Sequence, residues 1–314
     1  MRVAILLILV ASVGATLAGA IAAAPSDTKA VIAERHRKRD EYFRKMSISP
    51  FTSIGVHTLA GHVPTRAGAG DGGLEVDPNT TRPDVVSVLL EDPGVTVTPV
   101  SGGGAIRLRR RTPGGDAAPG EGVALEAAHR LDGGEIVALG RYLLEISGNG
   151  GGGQLSVFDP ESPARKSFNG FKWFDPDPEL QIRSVLTPIA HPDTIKVATS
   201  DGQEKEYCRF GTFDLDLSGT KQRLTALASS PSIAPGATLF IPFRDATNGR
   251  ETYANGRYLE IRYEGPGKEH LLDFNRAINP YCNYSPWYSC PIPPKENTLT
   301  VPIRAGEMAY PHAP

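Results

Sequence analysis

The residues best equipped for chemistry crowd into one stretch, Asp273 to Asn297, DFNRAINPYCNYSPWYSCPIPPKEN. It carries two of the three cysteines, one of the two tryptophans and five of the 27 prolines, with four asparagines and three tyrosines. Cys282 and Cys290 are separated by seven residues. That spacing allows three states. A disulfide would close a small loop and stabilise the fold by about 2–3 kcal/mol on chain-entropy reasoning. Two buried structural thiols are the second state. The third is a nucleophile at Cys282, which needs a base such as His270 and a neighbour that lowers the thiol pKa. C-x7-C is not a zinc spacing, and only His270 and Asp273 are near in sequence, so no metal site is expected. Cys208, in a strand beside Phe210, reads as a core residue.

Carboxylates and arginines offer a second chemistry. Asp273 with Glu251 or Glu296 would form the acid–base pair of a hydrolase. Arg250 and Arg276 have the planar fork that clamps a carboxylate or phosphate. The structural alternative pairs Arg250 with Glu251 and locks the 245–253 turn against the 273–297 stretch. Asp273, Asn275 and Asn279 stand where a strand enters the loop, and Asx side chains there bond backbone N–H groups in place of a ladder. Tyr281, Tyr284, Trp287 and Tyr288 make either a stacking platform for a sugar or other planar ligand, or the loop's own small core. The candidate ligand-binding set is therefore Arg250, Glu251, Tyr253, Asp273, Asn275, Arg276, Asn279 and Tyr284. His57, His62 and His191 are isolated. No nucleophile-elbow, dinucleotide or metalloprotease motif occurs, and the glycine runs at 102–104 and 150–153 lack the helix of a phosphate loop, so no cofactor is expected.

Such a proline-rich loop cannot be a helix or central strand, so other elements must hold it. With 34 glycines and 27 prolines in 314 residues, the chain favours short strands and turns. Strands are predicted at Val85–Leu90, Val95–Pro99, Ala105–Arg109, Val123–Ala127, Glu135–Leu139, Tyr142–Ile146 and Gln154–Phe158. A second series follows FKWFDPD (171–177): Leu180–Leu186, Thr194–Ala198, Glu206–Asp216, Gln222–Ala228, Thr238–Arg244, Arg257–Glu264, His270–Asn275 and Thr298–Arg304. In Arg257–Glu264, Tyr258, Glu260 and Arg262 point one way and Leu259, Ile261 and Tyr263 the other. Residues 54–84 read as loop. Ser26 or Asp27 caps a helix running to about Met46, with Ile32, His36, Phe43 and Met46 on one face. Its ERHRKRDE run reads as solvated, with i,i+4 pairs Glu34–Lys38, Asp40–Arg44 and Glu41–Lys45.

Residues 3–24 are apolar or small behind Arg2 and end in Ala-x-Ala patterns, the form of a secretory signal peptide cut near Ala20 to Ala23. The alternative is an uncleaved anchor, since about 20 apolar residues span a bilayer. No later stretch is apolar enough to span. A formal charge of −2 leaves no excess to neutralise phosphates, which excludes a nucleic-acid partner.

DPESPARKSFNGFKWFDPDP (159–178), FRDATNGRETYANGRYLEI (243–261) and LDFNRAINPYCNYSPWYSCPIPPKENTLTVPIRAGE (272–307) resemble the uncharacterised bacterial family catalogued as domain of unknown function 1684. ERHRKRDEYFRKMSISPF (34–51) fits that family's leading helix. The resemblance covers nearly the whole chain after the leader and carries no activity with it. The glycine-rich stretches near 68–73 and 101–122 are longer than the family needs, and relatives often lack an export signal.

Together these readings describe a mainly β protein, sandwich or barrel-like, with one N-terminal helix. Its parts are a leader (1–23), the helix (24–50), a glycine-rich β subdomain (51–170) and a C-terminal β subdomain bearing the motif loop (171–314). The leading expectation is an exported, periplasmic or secreted, protein that binds a small polar ligand or glycan through that loop. A hydrolase centred on Cys282 or Asp273/Glu251 is the alternative, and a structural envelope protein the third.

Overall fold

The computed structural model describes residues 28–68, 74–76, 85–101 and 106–311, and within these the protein is mainly β with one long N-terminal helix. The leader, Ser26, Asp27 and the 69–73 glycine stretch lie outside the described residues. The helix spans Lys29–Lys45 and is capped by Thr28, whose hydroxyl accepts the Val31 N–H. Ile32, His36, Phe43 and Met46 are buried, on the face their spacing marks out. Arg37 pairs with Glu34 and Glu41, and Lys38 with Glu34, on the solvent side.

The basic run is only half solvated, however. Arg35 and Arg39 turn inward to Asp273 and Glu307. Asp40 does not pair with Arg44; its Oδ1 accepts from the Phe171 N–H and the Trp173 indole N–H. Glu41 takes Arg37 rather than Lys45. Part-buried donors left unpaired cost more than an exposed i,i+4 pair returns, so the tertiary partners prevail.

Two antiparallel-rich sheets form the first half. In one, Ser53–Leu59, Gly152–Phe158, Tyr142–Asn149, Glu135–Leu139, Ile106–Arg110 and Val123–Ala124 lie side by side. In the other the order is Leu74–Glu75, Thr65–Gly68, Val85–Glu91, Gly94–Ser101 and His129–Arg130. Val86, Val88, Val97, Val137, Leu144, Leu155 and Val157 make the shared core. Residues 54–84 are thus not all loop. Gly55 and His57 interrupt the apolar alternation of Ser53–Leu59, and its pairing along Gly153–Phe158 supplies what the local pattern lacks.

The second half has its own sheets. Thr187–Pro188, Glu204–Leu217, Thr220–Ala228, Thr238–Phe243 and Arg257–Arg262 form one, with Thr194–Ala198 also on Glu204–Leu217; Gln181–Val185 pairs with Glu269–Asp273 in the other. Phe213, Leu224, Leu239, Ile241, Leu259, Ile261, Leu272 and Phe274 fill the space between them. Leu259, Ile261 and Tyr263 face this core, while Tyr258 and Glu260 face the opposite side, as the alternation requires.

Thr298–Arg304 is not a strand. Thr298 bridges Arg244, and beyond it the chain is irregular. Pro302 removes a ladder donor, and the carbonyls of Ile303, Ala305 and Glu307 are taken by the buried Arg257 guanidinium instead. The helix packs across both halves through an aromatic cluster of Phe43, Phe51, Phe168 and Phe171, joined by Trp173, Tyr284 and Tyr310.

Candidate functional site

The motif loop is ordered by side chains standing in for a ladder. Asp273 accepts the N–H of Asn275, Asn275 exchanges bonds with the backbone of Asp177, and Asn279 donates to the Met308 carbonyl. Asn297, fully buried, accepts from Thr225 N–H and donates to the carbonyls of Thr225 and Pro242. Ile278 exchanges backbone bonds with Tyr258, so the loop extends the sheet past its edge strand. Farther on, Ser200 and Cys290 exchange bonds, and the Tyr258 hydroxyl donates to the Pro291 carbonyl at 2.5 Å.

A groove of about 600 Å³ lies between this loop and the outer face of the sheet, within the range of small-molecule sites. Tyr207, Phe240 and Tyr258 come from three strands and form its floor; Phe240 meets Tyr207 at 5.6 Å and Tyr258 at 4.8 Å between ring centroids. The strand register sets Leu227, Phe240 and Glu260 side by side on this face. Tyr281 and Tyr288, in edge contact at 5.3 Å, supply the wall. Arg39 and Asn279 line it too, and Arg39 Nη2 and Asn279 Oδ1 are buried without a hydrogen-bond partner among the described residues. Asn279 is 1% exposed. A second hollow of about 540 Å³ lies beyond Tyr288 and Ser289, which line both. It is bounded by Trp287, Lys205 and, from the first half, Thr58 and Gln154.

Behind the groove, Glu307 is fully buried. It accepts from Arg39 Nε at 3.1 Å, from the Asn279 N–H at 2.8 Å and from the Tyr284 hydroxyl. Burial pushes its carboxyl above the usual range, opposed by Arg39, Tyr284 and the Asn279 N–H. Burial and then Glu307 hold the Tyr284 phenol well above its usual value. Arg39 also stacks over Phe43 and Phe171, its guanidinium carbon 4.7 and 5.3 Å from the ring centroids.

The predicted site residues do not converge on one cleft. Asn279 lines the groove, but Asp273 and Asn275 are buried and mutually bonded, with Arg35 and Gln181 on Asp273. Tyr284 belongs to the aromatic cluster. Arg250 and Arg276 are exposed and line neither hollow. Glu251 binds Arg304 at 2.8 and 2.9 Å, so the partner proposed for Arg250 is taken by the C-terminal segment. Neither Glu251 nor Glu296 is among the partners of Asp273; Glu296 faces Arg209.

The thiols are free: Cys282 is half-buried and Cys290 buried. His270 is no base for them. It is buried between Phe213 and Tyr263 and accepts the Glu264 N–H. Tyr253 instead stands over Cys282, its hydroxyl 3.8 Å from Sγ. The groove residues outside the motif, Arg39, Tyr207, Phe240, Tyr258 and Glu260, escape sequence reasoning. The one available signal is the polar-aromatic face of Arg257–Arg262.

Fold and site define a mainly β protein with an aromatic groove roofed by a proline-rich loop. The chain belongs to the family described as "Protein of unknown function (DUF1684)", whose profile matches residues 166–308. Among solved structures it is similar to the solution NMR structure of an uncharacterised protein from Haloarcula marismortui. That similarity is 38% identity over 48% of this chain and 82% of that one, with a TM-score of 0.40. No curated protein matches the chain.

Proposed function

We propose that this is an exported binding protein for a small polar ligand with an apolar face, a glycan in particular, held in the groove beneath the motif loop. One observation carries the reading: five aromatic rings line a hollow that Arg39 and Asn279 also line, and Arg39 Nη2 and Asn279 Oδ1 are buried without a hydrogen-bond partner among the described residues. Buried polar groups are normally satisfied, so these two side chains gain by turning toward a ligand hydroxyl. Aromatic faces pack the C–H side of a sugar ring while polar groups take its hydroxyls. The second hollow, sharing Tyr288 and Ser289 and offering Trp287, supports a ligand longer than one sugar. Export rests on the apolar leader, and an uncleaved leader would leave the same protein anchored.

The test is a thermal-shift screen of mono- and oligosaccharides followed by isothermal titration. A ligand that stabilises the wild type and loses affinity in Tyr207→Ala supports the proposal. A flat response across neutral and charged glycans overturns it.

A further inference from the structure

Cys282 and Cys290 bound a short segment whose ends meet. The Cys282 N–H points at Cys290 Sγ over 3.2 Å, which sets the second sulfur directly against the first cysteine's backbone. The Tyr253 hydroxyl lies 3.8 Å from Cys282 Sγ, and the Ser200 hydroxyl accepts the Cys290 N–H at 3.1 Å. The remaining titratable groups around the pair are Tyr207, Tyr258, Tyr288 and Lys205. Cys282 is half-buried, whereas Cys290 is 7% exposed and lies against the groove. Cys208 offers an internal contrast: it is buried on its strand, with the Thr194 hydroxyl at 3.8 Å its thiol's one hydrogen-bond partner among the described residues.

We infer that Cys282 and Cys290 are a thiol–disulfide exchange couple, Cys282 the attacking sulfur and Cys290 the resolving one, with a low-molecular-weight disulfide as co-substrate. Exchange needs a thiolate, an exposed attacking sulfur and a second thiol beside it; it needs no histidine base. The Cys282 thiolate attacks one sulfur of the small disulfide, whose S–S bond breaks, and the departing thiolate takes up a proton. Cys290 then gives up its proton, attacks Cys282 Sγ and displaces the second small thiol. The balance is two protein thiols oxidised to one disulfide and one small disulfide reduced to two thiols. The hydrogen bond from Cys290, helped by those from Ser200 and Tyr253, pushes the Cys282 thiol down to about 6, while Cys290 is raised as its donor. The inference is independent of what occupies the groove.

The reduced full chain is incubated at neutral pH with oxidised glutathione, quenched with an alkylating agent and mapped by mass spectrometry. The wild type should lose two hydrogen atoms and yield a Cys282–Cys290 disulfide peptide, with Cys208 alkylated and Cys282 reacting on the order of tenfold faster than Cys208. Cys290→Ser should stop at a stable glutathione adduct on Cys282, and Cys282→Ser should stay unmodified. Three outcomes overturn the inference: a wild type that reacts only after denaturation, equal labelling of all three cysteines, or an adduct on Cys290 in Cys282→Ser as fast as that on Cys282. The wild-type peptide map decides by itself if a variant does not fold.

Discussion

Arg39 of the N-terminal helix donates to Glu307, 268 residues later in the chain, at 3.1 Å, and the carboxylate it meets has no exposed surface. Glu307 also receives the Asn279 N–H and the Tyr284 hydroxyl. The pair therefore joins three separate segments, helix, motif loop and C-terminus, at the back of the groove.

Removing one partner of such a pair strands a buried charge. Arg39→Ala is expected to lower unfolding free energy by about 3–5 kcal/mol, and Arg39→Met with Glu307→Gln by much less. Urea titration of the two variants checks this; equal losses would show that packing, not charge pairing, dominates.

His36 lies flat against Trp173, ring centroids 3.9 Å apart, and Nε2 donates to the Asn275 carbonyl at 2.7 Å. Burial holds its pKa below the ordinary 6.5. The unfolded chain thus binds the proton first, and stability falls as pH drops from about 6.5 toward the folded value. Melting temperatures at pH 7.5 and 5.5 should differ more for wild type than for His36→Gln.

Gly306 has φ +78°, and a Cβ there would sit 2.5 Å from the Ala277 carbonyl and 2.8 Å from that of Phe274. Both are backbone and cannot swing aside. Gly306→Ala should cost about 1–3 kcal/mol in backbone strain alone, read as a drop in the denaturation midpoint, and should disturb Glu307 next to it.

Tyr207 is half-buried on the groove floor and outside the main core. Tyr207→Ala should leave the melting temperature nearly unchanged while weakening glycan binding about tenfold, ~1.4 kcal/mol. Titration calorimetry with the best ligand from the screen measures it. Unchanged affinity would remove the groove from the binding site.

Much of this protein was legible in its residues. Glycine and proline punctuation marked the short strands, and period-2 alternation assigned both faces of Arg257–Tyr263. Helical spacing picked out Ile32, His36, Phe43 and Met46. Asx residues marked where the loop would bond its own backbone. These are local properties, set by each residue's conformational range and by what lies two to four positions away. The partner of a charge is not local. Arg35 and Arg39 read as solvated, Glu251 as the mate of Arg250, and Asp273, beside its Asx reading, as an acid paired with Glu251 or Glu296. Folding gave them Asp273, Glu307, Arg304 and Arg35 from distant segments. The groove is decided in the same way: Tyr207, Phe240 and Tyr258 become neighbours only through strand register, and Arg39 joins them only when the helix docks.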